Sequence, residues 1–207
     1  LFSAQHQPGG MQTALEEVLE KAQKAVEEGS NLLILSDRGL NQEKMAIPSL
    51  LAVSAVHHYL IRAGLRSGVG IVLESGEPRE VHHYAALLGY GANAIYPYLI
   101  YHSLHELEES HEEKDLAENY RKAVTKGILK IMSKMGISTV QSYIGAQIFE
   151  AVGLSNEVIE RYFPRTASQI GGLHIEDIAE EVTKRHNKAW VNSESLLDEG
   201  SDLQWRR

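Results

Sequence analysis

Four short polar clusters stand directly after apolar runs, and these are the places where the chain could do chemistry. Asp37-Arg38-Gly39 follows residues 31–36, and Glu74-Ser75-Gly76-Glu77 follows residues 69–73, with Arg79 two positions on. Tyr96-Pro97-Tyr98 closes residues 93–96, and Ser142-Tyr143 closes residues 138–143. Apolar runs of this length, bounded by glycine, proline and polar residues, read as strands of a parallel sheet. In such sheets ligands gather at the carboxyl ends of the strands. Carboxylates, a guanidinium, hydroxyls and helix N-termini there could hold a small anion or a nucleotide. The residues that would carry this are Asp37, Arg38, Glu74, Glu77, Arg79, His82 and Lys134. The competing reading is that Asp37, Ser75 and Glu77 cap helices and satisfy turns. It has the stronger claim, because every parallel α/β sheet has polar strand ends.

Two adjacent-histidine pairs, His57-His58 and His82-His83, raise metal binding. Neighbours on a helix point about 100° apart, so one pair cannot grip one ion. A site would need one histidine from each pair and a carboxylate such as Glu74 or Glu80. The simpler expectation is one histidine of each pair facing the sheet, bonded to a strand-end group, and the other facing solvent. Lys130 and Lys134 share a helix face that could meet phosphate, although a solvated face is the stronger reading. Gly171-Gly172 and Gly89-Tyr90-Gly91 make no phosphate loop, and there is no nucleophile elbow. Spacing alone gives no catalytic constellation.

The elements that would position these residues follow from periodicity. Met11, Leu15, Val18, Leu19, Ala22 and Val26 recur at helical spacing over residues 10–28. Strand 31–36 follows, expected to be covered on both faces, then a helix opened by Pro48 and running to about Ala63. Strand 69–73, a helix from Pro78 to about Leu88, strand 93–96 and a helix from Pro97 complete an α-β-α-β-α-β-α order. Residues 104–118 are highly charged and read as an exposed helix end or loop. Residues 115–135 read as helix, 138–143 as a fourth strand, and 145–152 and 155–162 as short helices, the latter capped by Ser155. A last helix, 175–186, is entered through Gly171-Gly172. Nothing periodic follows Lys188. The expected fold is α/β, with about four mainly parallel strands in a Rossmann-like or partial β/α-barrel layer and a helical C-terminal extension. The expected organisation is a core over 1–110, a helix–strand–helix continuation over 111–187 and a tail over 188–207.

With 207 residues, of which 43% are hydrophobic and 23% charged, the composition is that of a folded chain and not of a disordered one. A net charge of −8 without a basic patch argues against nucleic acid as a partner. No cysteine is present, so these residues build no disulfide, thiolate zinc site or iron–sulfur cluster. No run is long and apolar enough to span a bilayer, and the first residues are not a signal peptide. A cytoplasmic fragment of a larger protein is the expectation.

Several segments carry a more specific signal. They are Ile34-Leu35-Ser36-Asp37-Arg38-Gly39, Ile47-Pro48-Ser49-Leu50-Leu51-Ala52 continuing to His57-His58, and Leu60-Ile61-Arg62-Ala63-Gly64-Leu65-Arg66. To these add Glu74-Ser75-Gly76-Glu77, Leu88-Gly89-Tyr90-Gly91-Ala92, the stretch 127–147, Ile148-Phe149-Glu150-Ala151 and the closing Trp205-Arg206-Arg207. In order and wording they resemble the large subunit of glutamate synthase. Enzymes of that family have a glutaminase domain with an N-terminal catalytic cysteine, an α/β central domain, an FMN-binding β/α barrel carrying an iron–sulfur cluster, and a β-helical domain. Ammonia from glutamine passes internally to 2-oxoglutarate at the FMN site, where glutamate forms. The resemblance places this chain in the later central domain and the lead-in to the FMN domain. It implies no catalytic residue and no cofactor in this chain, with FMN and the cluster elsewhere in the parent enzyme. The implied partners are the glutaminase and FMN domains of the same protein and a small electron-transfer subunit or ferredoxin. Ile144 departs from the family pattern, which has arginine after Ser-Tyr, and Arg165 and Gln169 depart around Thr166-Ala167-Ser168. An ion pair or ligand contact made by that arginine would be lost at Ile144. The implied role is interdomain coupling without independent activity; the alternative is a regulatory module holding an anion or nucleotide at the strand ends.

Overall fold

The computed structural model describes residues 1–4, 8–111 and 115–190. Strand β1 (Phe2–Ser3) leads to helix α1 (Gly10–Glu27), whose buried Met11, Leu15, Leu19 and Ala22 form the apolar stripe that the spacing predicts. Strand β2 (Leu32–Ser36) follows, then β3 (Lys44–Met45), which pairs antiparallel with β1. Helix α2 (Ser49–Arg62) begins directly after Pro48. A short 3₁₀ turn at Arg66–Gly68 precedes β4 (Gly70–Glu74), α3 (Val81–Gly89), β5 (Ala94–Tyr96) and α4 (Tyr98–His111). The chain continues through α5 (Leu116–Met135), α6 (Val140–Tyr143), β6 (Glu150–Leu154), α7 (Asn156–Tyr162), β7 (Ala167–Leu173) and α8 (Ile175–Trp190).

The protein is α/β. Strands β2, β4 and β5 form a parallel sheet in chain order, joined by the crossover helices α2 and α3. Leu33, Leu35, Ile71, Leu73 and Ile95 point to the covered face, packed with α1, α2 and α3. Sequential neighbours with their helices on one side are the arrangement of a β/α-barrel wall rather than of a doubly wound sheet. A second apolar cluster joins Tyr84 and Ala85 of α3 to Ile128 and Met132 of α5 and to Tyr143 of α6.

The structure corrects several local expectations. The sheet is not covered on both faces among the described residues: Leu32 is 53% and Ile34 62% exposed. Residues 138–143 are not a strand. Thr139 accepts a hydrogen bond from the Ser142 N–H at 3.3 Å and caps the single turn of α6, so capping chemistry overrides the β-propensity of this run. Residues 150–152, expected to end a helix over 145–152, instead open strand β6, because Glu150–Leu154 finds a parallel partner in β7, which periodicity did not reveal. Gly171-Gly172 lies within β7 and not at a helix entrance. A side chain at Gly172 would strike the Gly153 backbone, so glycine permits the close approach of the two strands. Helix α3 starts at Val81, three residues after Pro78. Helix α8 carries residues 188–190, and the remainder of the expected tail, 191–207, lies outside the described residues together with Trp205-Arg206-Arg207.

Candidate functional site

Parallel pairing sets Ser36 beside Glu74 and Glu74 beside Tyr96, so the three strands end together. The Glu74 carboxylate accepts from the Ser36 hydroxyl at 2.6 Å and from Arg38 Nε at 2.6 Å. These two bonds, that of Ser36 foremost, hold the Glu74 carboxyl below the usual carboxylate range. The Arg38 guanidinium stacks 4.3 Å from the centre of the Tyr98 ring. Asp37 accepts from the Ser75 hydroxyl at 2.6 Å and from the Gly76 N–H at 3.1 Å, and Ser75 Oγ accepts from the Glu77 N–H at 3.1 Å. Burial, and then the hydrogen bond to Asp37, push the Tyr98 hydroxyl up to about 12. Glu77 accepts the N–H of Ser49, the first residue of α2, at 2.7 Å.

This rim therefore binds itself. The helix N-terminus that would attract an external anion already carries the Glu77 carboxylate, and the guanidinium that would grip one is bonded to Glu74. Asp37, Arg38, Glu74 and Glu77 are brought together as the strand ends dictate. Arg79 enters the structure through its main chain: its N–H donates to His83 Nδ1 at 3.1 Å and its carbonyl accepts from Tyr120 at 2.9 Å. His82 is exposed, edge-on to Phe149, and Lys134 is exposed on the last turn of α5. Neither joins the rim. Ser36 and Tyr98, which stand at strand ends but were not among the ligand candidates, complete the network. Ser36 was accessible to sequence reasoning, since aligning the ends of the two apolar runs sets it against Glu74.

The histidines have other work than the strand ends. His57 is buried, and its Nδ1 accepts from Arg66 Nε at 2.8 Å. Arg66 also bonds the carbonyls of Val69 and Gly91 and, at 2.9 Å, Asn93 Oδ1, which in turn accepts the Ile71 N–H. Burial, then the Arg66 charge, lower the His57 pKa to about 4. His58 is lowered to about 4 by burial and by the charges of Arg62 and Arg165. His83 ties down the start of α3 by accepting from the main chain at residues 79 and 80. Among the described residues no group of three histidine, aspartate or glutamate side chains is placed to hold a metal ion.

Comparison with known proteins gives these elements a family. The glutamate synthase central domain model matches residues 1–155. The chain is 53% identical over 203 residues to the NADPH glutamate synthase large chain of Bacillus subtilis, covering 95% of this chain and 13% of that protein. It is 46% identical over 193 residues to the NADH glutamate synthase of Schizosaccharomyces pombe, covering 90% and 9%. It is also 41% identical over 218 residues to the ferredoxin-dependent glutamate synthase of Pyropia yezoensis, covering 97% and 14%. The chain thus spans a small part of the length of each. With most of its own length matched by the central-domain model, this chain belongs to the glutamate synthase family.

Proposed function

We propose that the chain is the coupling segment of a glutamate synthase, holding the glutaminase and FMN domains of a longer protein in register and carrying none of their chemistry. The observation that carries this is the β6–β7 pair. Two parallel strands alone do not make a stable sheet, and Val152 and Ile170 are 67% and 60% exposed. Such a pair reads as the first strands of a larger parallel sheet, entered directly from the central domain. The self-satisfied rim supports the same reading, because its charged groups serve the fold. Without cysteine the chain supplies no thiolate for an iron–sulfur cluster, so in this reading the cluster and FMN are held elsewhere in the parent enzyme. The overall reaction is formation of glutamate from glutamine, 2-oxoglutarate and reductant, in the cytoplasm. Relatives named for NADPH, NADH and ferredoxin match this segment alike, so it does not set the electron donor or select between a small electron-transfer subunit and ferredoxin. No helix among the described residues is long and apolar enough to cross a membrane.

Titration with FMN, followed by flavin fluorescence, tests this. The expected result is no saturable quenching. One-to-one quenching that excess phosphate does not reverse would show that these residues build part of a flavin site.

A further inference from the structure

The strand-end rim neutralises its own cation, but a second concavity does not. Helix α2, the turn at residues 89–90 and the loops 143–149 and 164–166 enclose a cavity of about 620 Å³. Arg62 and Arg165 both line its solvent-exposed edge, and among the described residues neither guanidinium has a hydrogen bond or an ion pair with protein. Both lie close enough to His58, which also lines the cavity, to act on its charge. One carboxylate, Glu160, shares the lining without pairing to either arginine. His57 and His58 are neutral near pH 7, so two cations against one carboxylate leave the lining net positive. Gln147 and Arg165 hold left-handed backbone at φ 55° and 68°, a conformation that persists only where the surroundings enforce it.

An unpaired guanidinium is a planar fork of donors matched to carboxylate or phosphate oxygens. We propose that this cavity binds a compact oxyanion, a carboxylate or a phosphate, gripped by Arg62 and Arg165. The oxyanion is either a free small molecule or an acidic side chain from another part of the longer protein. The site is separate from the strand-end rim.

The test is calorimetric titration of the 207-residue chain with phosphate and with succinate at constant ionic strength, using chloride as the control. Saturable one-to-one binding of at least one anion is expected, weakened at least tenfold in the double variant Arg62→Gln, Arg165→Gly. Circular dichroism confirms that this variant folds, and glycine also relieves the left-handed backbone at 165. Glu160→Gln should tighten binding severalfold. Bound anion should also raise the His58 titration midpoint, read by NMR, as the field of the two arginines is cancelled. Repeating the titration on a full-length glutamate synthase carrying this segment separates the two sources: binding persists if the ligand is free and vanishes if an internal carboxylate already fills the site. No saturable binding to the chain, or equal binding by the double variant, overturns the proposal.

Discussion

Arg66 donates from Nε to Nδ1 of His57 at 2.8 Å, and this bond fixes both the tautomer and the charge of a buried imidazole. The acceptor nitrogen must be unprotonated, so the proton resides on Nε2, and protonation would set two donors face to face.

Stability should therefore fall in mild acid. The His57 pKa is about 4 in the folded chain against 6.5 for an unperturbed histidine, so the unfolded chain takes up the proton first. The contribution is complete above about pH 6.5 and is lost as pH falls through about 4, amounting to an order of 3 kcal/mol. His58 acts in the same direction. Urea midpoints at pH 7 and pH 4.5 measure the loss. His57→Gln, which keeps an acceptor for Arg66 but cannot titrate, should flatten much of the slope.

Gly91 is the second half of that arrangement. Its φ is +115°, and a side chain there would collide with the His57 ring. Gly91→Ala should cost more than about 2 kcal/mol, from overpacking and left-handed strain together. Thermal unfolding of the variant reads this directly.

Glu77 reaches across the sheet end to the first N–H of α2, a cap supplied from 28 residues away. Glu77→Ala should lose about 1 kcal/mol in urea unfolding, as removal of a charged N-terminal cap does. Arg38→Ala should change stability by less, because its pairing with Glu74 is solvent-screened.

Much of this was legible in the residues. Strands β2, β4 and β5 and helices α1, α2 and α5 announced themselves by period and punctuation, and the clustering of Asp37, Arg38, Glu74 and Glu77 followed from parallel strands ending together. What stayed hidden depends on contacts distant in sequence. Strand β6 exists because Ala167–Leu173 lies beside it, and no local pattern in 145–154 signals that partner. The α6 turn came from one threonine oxygen, a detail finer than hydrophobic period. One histidine of each pair was expected at a strand end; His57, the buried one of its pair, is instead held by Arg66, because the turn at Arg66–Gly68 brings that side chain back over α2.

The β6–β7 surface offers a contrast between the chain and its longer parent. Val152→Thr and Ile170→Thr keep β-branched side chains at exposed positions and should shift the stability of the 207-residue chain by no more than about 0.5 kcal/mol. In a full-length glutamate synthase carrying this segment, where the proposed sheet continues over them, each should cost about 1–3 kcal/mol. Paired thermal melts of both proteins measure the difference.

The coupling role is tested most directly on the open face of the first sheet, at Leu32 and Ile34. In the longer enzyme, Leu32→Asp with Ile34→Asp is compared with the unaltered protein in three assays: glutamine hydrolysis, glutamate formation from free ammonia, and glutamate formation from glutamine. The expected result is a glutamine-dependent rate reduced at least tenfold relative to both partial reactions, with FMN retained. Loss of a partial reaction in step with the coupled one, or no change in any of the three, would contradict a segment that couples active domains without sharing their chemistry.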